Sequence, residues 1–461
     1  MSGATKILMG SGGGVDLPSD DEFDNVSFLS HFDGANNGTN IVYDDGSTSN
    51  HTITTAGNVS QGSFGPFARV DGEWSNHFSG NSDYFDVAAS SDFAFGTGDF
   101  TVELFIKTSD PSADSYDRRM YLNDGPDGNA IGNIMLLLVA ASPNSGKVGV
   151  QTNGLLITSS TVVTDGAWHH VAMVRSSGTL SLYIDGTSEG TPVSNTDNIT
   201  ANSGSPRPRI GSYGAAGGDF NGYVSNLRVL SSALYTSNFT PPTSALTAIT
   251  NTKLLTCQSN QFKDNSASGH TLTRTTSGAG FTPSISAFTP FLTSEVYDSA
   301  VNGASAYFDG SGDYLSAADS ADWTLGDTFT IEAWVNPHQN ETYNTVVEQN
   351  GASGFYYSVI GNPPTSMQFY KGIGGGVQVD SATLPQMSEQ WNHVAFVVSG
   401  GTGYHYINGV RSGSSGSISI GDIGTALQIG QQGSSYPYKG LMSDVRIVKG
   451  TAVYSGTTYT V

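Results

Sequence analysis

A short segment that occurs twice in the chain limits what this sequence can fold into. The first copy is GAWHHVAMVRSSGTLSLYIDG, residues 166–186, and the second is QWNHVAFVVSGGTGYHYING, residues 390–409. In each copy, apolar and polar residues alternate on both sides of a Ser/Gly turn, which predicts a hairpin of two short strands. Asp185-Gly186 and Asn408-Gly409 close the copies with a dipeptide that accepts positive φ and opens the next turn. The repeat therefore predicts β-sheet in both halves of the chain.

The composition agrees with a protein made of many short strands. The chain has 461 residues, of which 58 are Gly and only 13% are charged. Frequent Gly, Ser, Thr and Asn leave no segment beyond about ten residues with the periodicity of a helix. The 22 Phe, 21 Tyr and 5 Trp supply enough bulk for substantial cores. We expect two or three domains from a chain of this length.

The charge and the cysteine content bear on partners and on the cellular compartment. With 18 basic and 40 acidic residues, the net charge is −22. Such a field repels phosphate backbones and anionic membranes, so we expect neither nucleic-acid binding nor membrane insertion. Cys257 is the only cysteine, which excludes a disulfide within the chain. The N-terminal residues lack the pattern of a signal peptide, which favours folding in a reducing cytoplasm.

The repeat extends over nearly the whole chain. Asp83 matches Asp313 at an offset of 230 residues, and Arg228 matches Arg446 at an offset of 218, as small loop deletions shift the alignment. The N-terminal residues combine a short apolar patch, a Gly-rich run and an acidic stretch, which is typical of a flexible arm. We therefore expect a flexible N-terminal arm, a first domain, a Pro-containing linker and a second domain, at residues 1–24, 25–240, 241–251 and 252–461.

Ordered motifs in both halves carry a family resemblance. The first half contains FSGNSDYF, GDFTVELFI, WHHVAMVR, YIDG, RIGSYG and NGYVSNLRVL, and the second contains FDGSGDYL, GDTFTIEAWV, WNHVAFVV, YING, IG and KGLMSDVRIV. The sequence resembles tandem laminin-G-like, concanavalin A-like jelly-roll domains. The resemblance implies an all-β fold of two tandem β-sandwiches, the first strand of each lying beside its last. NFTPP and the Gly-rich start also resemble tandem laminin-G-like proteins of tailed-phage virions.

The sequence lacks the carboxylate arrangement of glycoside hydrolases that share this fold. In that family, an E-x-D-x-E strand supplies two acids that flank the scissile bond. Glu103 in TVELFIK and Glu332 in TIEAWVN are each a lone acid among apolar residues. Glu22 and Asp24 also stand close together, but they lie in the arm and lack a third acid. We therefore expect no enzymatic activity.

His170 and His393 occupy the same place in the two hairpins, two residues after Trp168 and Trp391. A metal-binding or acid–base role needs partners at fixed spacing, and the sequence places no cluster of His, Cys or Asp around either residue. We therefore expect half-buried imidazoles that bond to backbone groups beside a buried tryptophan.

Two kinds of candidate binding residue remain. Asp309-Gly-Ser-Gly-Asp313, and its counterpart that ends at Asp83, alternate oxygen side chains along a turn. This pattern suits calcium, the one cofactor the sequence suggests, or an ordinary hairpin turn. A second acidic cluster is expected to be a solvated loop: Asp114, Asp117, Asp124 and Asp127. Aromatic and arginine side chains are candidates for sugar binding: Tyr116, Arg118, Arg119, Tyr121, Tyr343, Tyr356, Tyr357, Tyr370, Tyr404 and Tyr406.

These features favour a structural protein that displays its domains for attachment. We expect a non-enzymatic virion protein, from a phage tail, fibre or capsid surface, that is assembled in the cytoplasm of the bacterial host. Its arm would bind other virion subunits, its domains would bind a host-surface glycan, and the chain would form a homo-oligomer. The alternative is an adhesin or carbohydrate-binding protein exported to the bacterial surface without a Sec signal. A glycoside hydrolase is the third hypothesis.

Overall fold

The fold is all-β, as the repeat and the composition predict. In the computed structural model, 2% of the residues are helical and 48% lie in strands. The described residues include three short 3₁₀ turns, at Phe23–Asn25, Ser91–Phe93 and Ala321–Trp323. None of the helices in the described part of the chain is long and apolar enough to cross a membrane. The structure describes residues 23–32, 45–62, 65–110, 117–123, 133–152, 154–200, 208–212, 218–275, 283–291, 304–338, 342–372, 376–384, 386–431, 433 and 435–461. Most of the expected arm, residues 1–22, lies outside this set.

The strands fall into three groups along the chain. The N-terminal group contains β1 (Val26–Ser30), β2 (Ile53–Ala56) and β3 (Ser60–Gly62). The middle group contains β4 (Ser75–Ser79), β5 (Tyr84–Val87), β6 (Phe100–Lys107), β7 (Arg118–Leu122), β8 (Met135–Leu138), β9 (Lys147–Thr152), β10 (Gly154–Val162), β11 (Trp168–Ser176), β12 (Thr179–Ile184), β13 (Thr187–Ser194), β14 (Arg209–Ile210), β15 (Asn221–Leu230), β16 (Thr252–Thr256), β17 (Leu272–Thr275) and β18 (Ser284–Ser286). The C-terminal group contains β19 (Ser305–Asp309), β20 (Tyr314–Ala317), β21 (Phe329–Pro337), β22 (Tyr343–Gln349), β23 (Phe355–Ile360), β24 (Ser366–Lys371), β25 (Val377–Asp380), β26 (Asn392–Ser399), β27 (Thr402–Ile407), β28 (Val410–Ser415), β29 (Leu427–Ile429) and β30 (Lys439–Lys449).

The chain divides into two compact units. One unit, the middle sandwich, contains residues 70–295. The other, the C-terminal sandwich, is discontinuous and contains residues 1–69 and 296–461. The expected domains at residues 25–240 and 252–461 differ from this division, because each unit takes strands from both sides of the expected linker.

The middle sandwich consists of two antiparallel sheets with one core between them. The eight-stranded sheet has the order β13-β12-β11-β6-β15-β4-β18, with β16 beside β15, and the seven-stranded sheet has the order β10-β9-β8-β7-β14-β5-β17. Val102, Leu104 and Ile106 of β6 point inward at alternate positions and are fully buried. They share a core with Phe85 and Leu136 of the other sheet. Alternation along the strands therefore builds the core, as the period-two pattern requires.

The C-terminal sandwich repeats this architecture. Its eight-stranded sheet has the order β28-β27-β26-β21-β30-β19-β3, with β1 beside β30, and its seven-stranded sheet has the order β2-β20-β29-β22-β23-β24-β25. Ile331 and Val335 of β21 lie in a core that also contains Phe28, Phe32 and Val59 from the N-terminal group. The N-terminal strands are thus part of this core and of both of its sheets.

The first strand of each repeat completes the other repeat. Leu29 of β1 pairs with Arg446 in β30, whereas Leu255 of β16 pairs with Arg228 in β15. A first strand therefore does lie beside a last strand in each sandwich, as the resemblance implies, but the strands are exchanged between the repeats. The two halves carry the same strand pattern, so the first strand of either repeat can pair with the last strand of either repeat. Local sequence does not specify which of the two pairings forms.

The exchanged strands are fastened by a motif that occurs in both sandwiches. The Asp45 carboxylate accepts hydrogen bonds from the backbone N–H groups of Leu29 at 3.0 Å, Ser47 at 2.9 Å and His51 at 2.8 Å. Asp264 makes the matching three bonds in the middle sandwich. A carboxylate that accepts several backbone N–H groups ties the strand to the turn that follows it.

The expected linker also packs against the middle sandwich. Leu246 is 5% exposed and lies in a small apolar cluster with Phe105 and Leu255. Its backbone N–H donates to the Asn226 side-chain oxygen at 2.8 Å. Asn226 itself has a φ of 50°, in the left-handed region that Asn tolerates, where β15 changes partners from β4 to β16.

Candidate functional site

Three of the candidate tyrosines share one surface, the outer face of the seven-stranded sheet in the C-terminal sandwich. Tyr343 lies in β22, Tyr356 in β23 and Tyr370 in β24, and all three side chains are half-buried. The alternate residues Tyr357 and Phe369 point into the core, so period-two alternation turns Tyr356 and Tyr370 outward. The rings of Tyr356 and Tyr370 stack with centroids 5.2 Å apart and an interplanar angle of 16°.

The stacked rings belong to a line of side chains that crosses all seven strands of this sheet. We call this line the tyrosine row. The strand register places its members side by side in the order Thr54, Ser316, Gln428, Glu348, Tyr356, Tyr370 and Gln378. The row joins aromatic faces to amide, hydroxyl and carboxyl groups. It can therefore contact both the apolar and the polar groups of one ligand.

Hydrogen bonds fix the polar groups around the two rings. The Tyr356 hydroxyl donates to Gln368 Oε1 at 3.1 Å. The amide groups of Gln368 and Gln378 donate to the two carboxylate oxygens of Asp380 at 2.8 Å and 2.7 Å. Asp380 therefore orients two amides at once, and the face presents donors and acceptors whose positions are set before a ligand arrives.

Glu348 stands in the tyrosine row between Gln428 and Tyr356. Its side chain is 1% exposed, and its carboxylate accepts the N–H of Gly433 at 2.6 Å. Burial raises the pKa of Glu348 to about 7, against the opposing effect of the Gly433 bond. The side-chain oxygen of Gln428 is buried and has no hydrogen-bond partner among the described residues. This part of the row changes its charge near neutral pH, because Glu348 titrates there.

A second aromatic pair lies on this sheet. The rings of Tyr343 and Tyr436 have centroids 5.0 Å apart, and Tyr436 is 46% exposed with a φ of 53°. The sequence prediction did not include Tyr436, Glu348 or Gln428. The signal for Tyr436 was its place in GSSYPY, where an aromatic residue follows small loop residues. Local sequence contains no comparable signal for Glu348 or Gln428, because their places depend on the register of distant strands.

The remaining tyrosines of the second half lie elsewhere. Tyr357 is fully buried in the core, and burial raises its pKa. Tyr406 is 1% exposed and donates to the carbonyl of Gly456 at 3.0 Å, in the eight-stranded sheet. Tyr404 lies in the same strand, with the Arg411 guanidinium 5.0 Å from its ring centroid. The structure therefore does not bring these three side chains into the tyrosine row.

The corresponding row of the middle sandwich is different. Strand register gives the order Thr273, Asp86, Arg209, Leu122, Met135, Gln151 and Leu155. Arg209 forms a two-pronged ion pair with Asp86 at 2.7 and 2.8 Å, and Leu122 and Met135 are fully buried. Apolar residues thus replace Glu348 and Tyr356, and this sandwich has no matching face for a ligand in the described part of the row.

The candidates of the first half do not form one site. Tyr121 is fully buried in the core, and its hydroxyl donates to Asn123 Oδ1 at 2.6 Å. Arg118 lies 3.8 Å from Asp110, and Arg119 donates to the carbonyl of Asp117. Tyr116 lies outside the described residues.

The proposed calcium residues form hydrogen-bonded turns. The Asp313 carboxylate accepts the backbone N–H groups of Asp309 at 2.9 Å and Asn58 at 2.7 Å, and Asp83 accepts that of Ser79 at 2.7 Å. In the described ranges, no three or more His, Cys, Asp or Glu residues are grouped so that they could hold a metal ion. The geometry is that of the ordinary hairpin turn, the alternative reading of these residues.

The second acidic cluster is described at one of its four positions. Asp117 accepts the N–H of Ala140 at 2.9 Å, which fastens its loop to the neighbouring strand end. The other three members lie outside the described residues: Asp114, Asp124 and Asp127.

Glu103 and Glu332 are not lone acids, which corrects the sequence interpretation. Glu332 is 2% exposed; its carboxylate meets His393 Nε2 at 3.2 Å, the Tyr454 hydroxyl at 2.6 Å and the Arg446 guanidinium. Burial by itself would raise the pKa of Glu332, but Arg446 and the hydrogen bond from His393 hold it at about 2. The partners lie 61 to 122 residues away along the chain, so local sequence could not show them.

The same network exists in the middle sandwich. Glu103 is fully buried and meets His170 Nε2 at 3.1 Å, Arg228 Nη2 at 2.6 Å and the Tyr235 hydroxyl at 2.9 Å. Burial opposes ionisation, yet His170 and Arg228 hold the pKa of Glu103 below its usual value. Each carboxylate has cationic and hydroxyl partners and little contact with solvent. We assign these networks a structural role, in which they fasten the chain segment after the last strand to the sheet.

The two histidines therefore bond to carboxylates rather than to backbone groups, contrary to the sequence prediction. A buried glutamate and a histidine on neighbouring strands satisfy each other, which a single-strand pattern cannot reveal. Trp391 is 2% exposed, as predicted. Trp168 is only half-buried, at the end of β11 beside Lys107.

Comparison with solved structures finds similarity to several proteins. Domains LG4-5 of the mouse laminin alpha1 chain align at 13% identity over 81% of this chain and 88% of that chain, with a TM-score of 0.28. Domain 4 of AbnA, a GH43 extracellular arabinanase from Geobacillus stearothermophilus in complex with arabinotriose, aligns at 23% identity over 32% and 72%, with a TM-score of 0.28. A SAP-like pentraxin from Limulus polyphemus aligns at 19% identity over 36% and 80%, with a TM-score of 0.28.

A search of curated proteins found no match. The Laminin_G_3 family, described as the Concanavalin A-like lectin/glucanases superfamily, matches residues 79–238 and residues 309–452. These two segments contain most strands of the two sandwiches and span more than half of the chain. The chain therefore belongs to this laminin-G-like, concanavalin A-like family and contains its domain twice.

Proposed function

We propose that the chain is a non-enzymatic adhesion protein whose C-terminal sandwich binds a glycan through the tyrosine row. The stacked pair of Tyr356 and Tyr370, with oriented amides beside it, is the observation that carries the proposal. A saccharide has an apolar C–H face and a hydroxylated edge. Aromatic rings pack against the first, and the exposed amide of Gln378 suits the second.

The absence of catalysis is part of this proposal. Glycoside hydrolysis needs two carboxyl groups roughly 5 to 10 Å apart across the scissile bond. Glu103 and Glu332 are buried in ion-pair networks, and Asp380 is bonded to two amides. We expect no release of reducing sugar from a bound glycan. Release that Glu348→Gln abolishes would instead support the hydrolase hypothesis.

The binding experiment is an array of bacterial-surface glycans probed with the full chain, followed by titration of the best ligand. Replacing both rings in the variant Tyr356→Ala/Tyr370→Ala removes the stacking surface, so we predict at least a tenfold loss of affinity, about 1.4 kcal/mol. Tyr404→Ala is the matched control, because Tyr404 lies in the other sheet, and it should bind normally. Equal affinity of the double variant and the wild type would refute the assignment, provided that both unfold at similar temperatures.

We further propose that this adhesion protein is a component of a tailed-phage virion, assembled in the bacterial cytoplasm as a homo-oligomer. Support comes from the likeness of the sequence to tandem laminin-G-like virion proteins. The net charge of −22 is consistent with an exposed part that does not adhere to nucleic acid. The N-terminal arm would bind other subunits of the particle. The alternative remains an adhesin on the bacterial surface.

Truncation tests the role of the arm. Phe23 packs against the cluster of Val26, Leu29 and Val448, so a shortened chain that begins at Phe23 retains the described sandwich. We predict that the full chain is incorporated into particles and that the shortened chain is not, measured by co-sedimentation with purified virions. Equal incorporation of both chains would exclude an anchoring arm. Recovery of the full chain only at the surface of uninfected bacteria would favour the adhesin.

A further inference from the structure

The middle sandwich has a polar cleft on the outer face of its eight-stranded sheet. Its volume is about 530 Å³, and its lining includes Lys107, Ser109, Asp110, Gly166 and Tyr223. Ligand sites in proteins generally measure roughly 300–1,000 Å³. The cleft therefore has room for a small organic molecule, and none of the residues above contributes to the tyrosine row.

Aromatic and basic side chains stand in line on this face of the sheet, and His77, Lys107 and Tyr223 among them form one wall of the cleft. Strand register places Trp168, Lys107, Tyr223 and His77 side by side on β11, β6, β15 and β4. The ring centroids of His77 and Tyr223 are 4.8 Å apart, and those of Trp168 and Tyr223 are 6.3 Å apart. Burial lowers the pKa of His77, which keeps its imidazole neutral. The rings are tilted by 50° and 56° against that of Tyr223, so the wall offers separate aromatic side chains next to one ammonium group.

Another part of the lining consists of Thr108, Ser109 and Asp110, which carry oxygen atoms. The Thr108 hydroxyl donates to the carbonyl of Asn221 at 2.6 Å and accepts the N–H of Asp110 at 3.1 Å. Arg118 lies 3.8 Å from the Asp110 carboxylate. These contacts hold Asp110 and Ser109 in place, so that donors and acceptors face a ligand in a set geometry. The cleft thus combines the ammonium donors of Lys107 with the carboxylate acceptors of Asp110, which suits a polar ligand rich in hydroxyl groups.

The other sandwich shows what opens the cleft. Gly166 donates its N–H to the carbonyl of Thr108 at 3.0 Å, and its counterpart Glu389 donates to that of Pro337 at 2.9 Å. The backbone is thus the same in both units. In the C-terminal sandwich, the Glu389 side chain lies 3.8 Å from His338, which replaces Ser109.

At Gly166, by contrast, a Cβ atom would have no heavy atom within 4 Å. Gly166 and Ser109 leave a space in the middle sandwich, whereas the larger side chains of Glu389 and His338 stand at the same places in the C-terminal sandwich. We take this difference as evidence that the cleft is a binding site.

We propose that this cleft binds a neutral saccharide of one or two sugar residues, in a site separate from the tyrosine row. The ring of Tyr223 would pack against the C–H face of the sugar, and Asp110, Ser109 and Lys107 would bond to its hydroxyl groups. The chain then has two saccharide sites, one in each sandwich, with different linings. This inference goes beyond the proposed function and does not require the tyrosine row to bind.

The test is calorimetric titration of the full chain with cellobiose, lactose, maltose and chitobiose. The background is the variant Tyr356→Ala/Tyr370→Ala, which removes the tyrosine row and should still bind at least one of the four disaccharides. Adding Gly166→Asn fills the cleft, since Asn tolerates the φ of 79° at this position. Adding Tyr223→Leu instead installs the residue that the other sandwich has there. We expect each addition to lower the affinity at least tenfold.

Two results would overturn the proposal: no binding of any of the four disaccharides to the background variant, or unchanged affinity in either cleft variant. Thermal unfolding of each variant confirms that the sandwich is intact, and the two substitutions lie on different strands or loops so that one local distortion cannot explain both. A different result would show that the tyrosine row does not bind glycans. In that case the variant Tyr356→Ala/Tyr370→Ala would bind the array glycans with the same affinity as the wild type.

Discussion

At the scale of single residues, Glu348 links the stability of the C-terminal sandwich to pH. Its pKa is about 7 in the folded chain, above the ordinary value of 4.5, because the carboxyl is buried. The folded chain therefore retains a proton that the unfolded chain has lost. This bound proton stabilises the folded chain fully below about pH 4.5, and the stabilisation disappears as the pH rises through 7.

The direction of this pH dependence gives a prediction for the variant Glu348→Gln. The amide cannot ionise, so the variant should gain stability relative to the wild type as the pH rises from 5 to 8. Urea unfolding at several pH values measures the difference between the two midpoints. A difference that stays constant over this range would show that Glu348 does not titrate in the folded protein.

The buried glutamates Glu103 and Glu332 show what a residue-by-residue interpretation of sequence misses. Each looks like an isolated acid in an apolar strand, but each contacts an arginine and a histidine from other strands. A tyrosine from the segment after the last strand of the repeat also donates to each carboxylate. The Trp-x-His pattern of the hairpins correctly predicted that His170 and His393 occupy equivalent positions in the two sandwiches. Their partners could not be predicted, because a carboxylate partner depends on which strands become neighbours.

At the scale of strands, the hairpins were predictable and the pairing of distant strands was not. Alternation over residues 166–186 predicted the hairpin of β11 and β12, and the structure places these strands at Trp168–Ser176 and Thr179–Ile184. Likewise, alternation turned Tyr356 and Tyr370 to the same face. The tyrosine row as a whole depends on the register of seven strands, including Glu348 and Gln428, and no local pattern contains that information.

The exchange of first strands gives a prediction for two matched variants. Phe28 and Leu254 hold equivalent, buried positions in β1 and β16. Replacing either with Ala removes core contacts and should cost about 3–5 kcal/mol. Hydrogen exchange should then rise in β30 for Phe28→Ala and in β15 for Leu254→Ala. Faster hydrogen exchange in β15 for Phe28→Ala would instead show that each repeat keeps its own first strand.

At the scale of the whole molecule, duplication has given two sandwiches with one plan and different surfaces. Their cores and their buried Glu–His–Arg–Tyr networks match, whereas the outer faces diverge. One unit carries the tyrosine row, and the other has a cleft where its repeat has Glu389 and His338. Cores are constrained by packing, and surfaces are free to change, so the divergent faces are where we place ligand binding.

The most direct test of the central claim is a crystal structure of the full chain with the glycan selected on the array. We predict that a sugar ring lies against Tyr356 and Tyr370, with its hydroxyl groups bonded to exposed members of the tyrosine row such as Gln378. A glycan bound elsewhere, with both rings free of any ligand, would contradict the claim that this face binds the glycan.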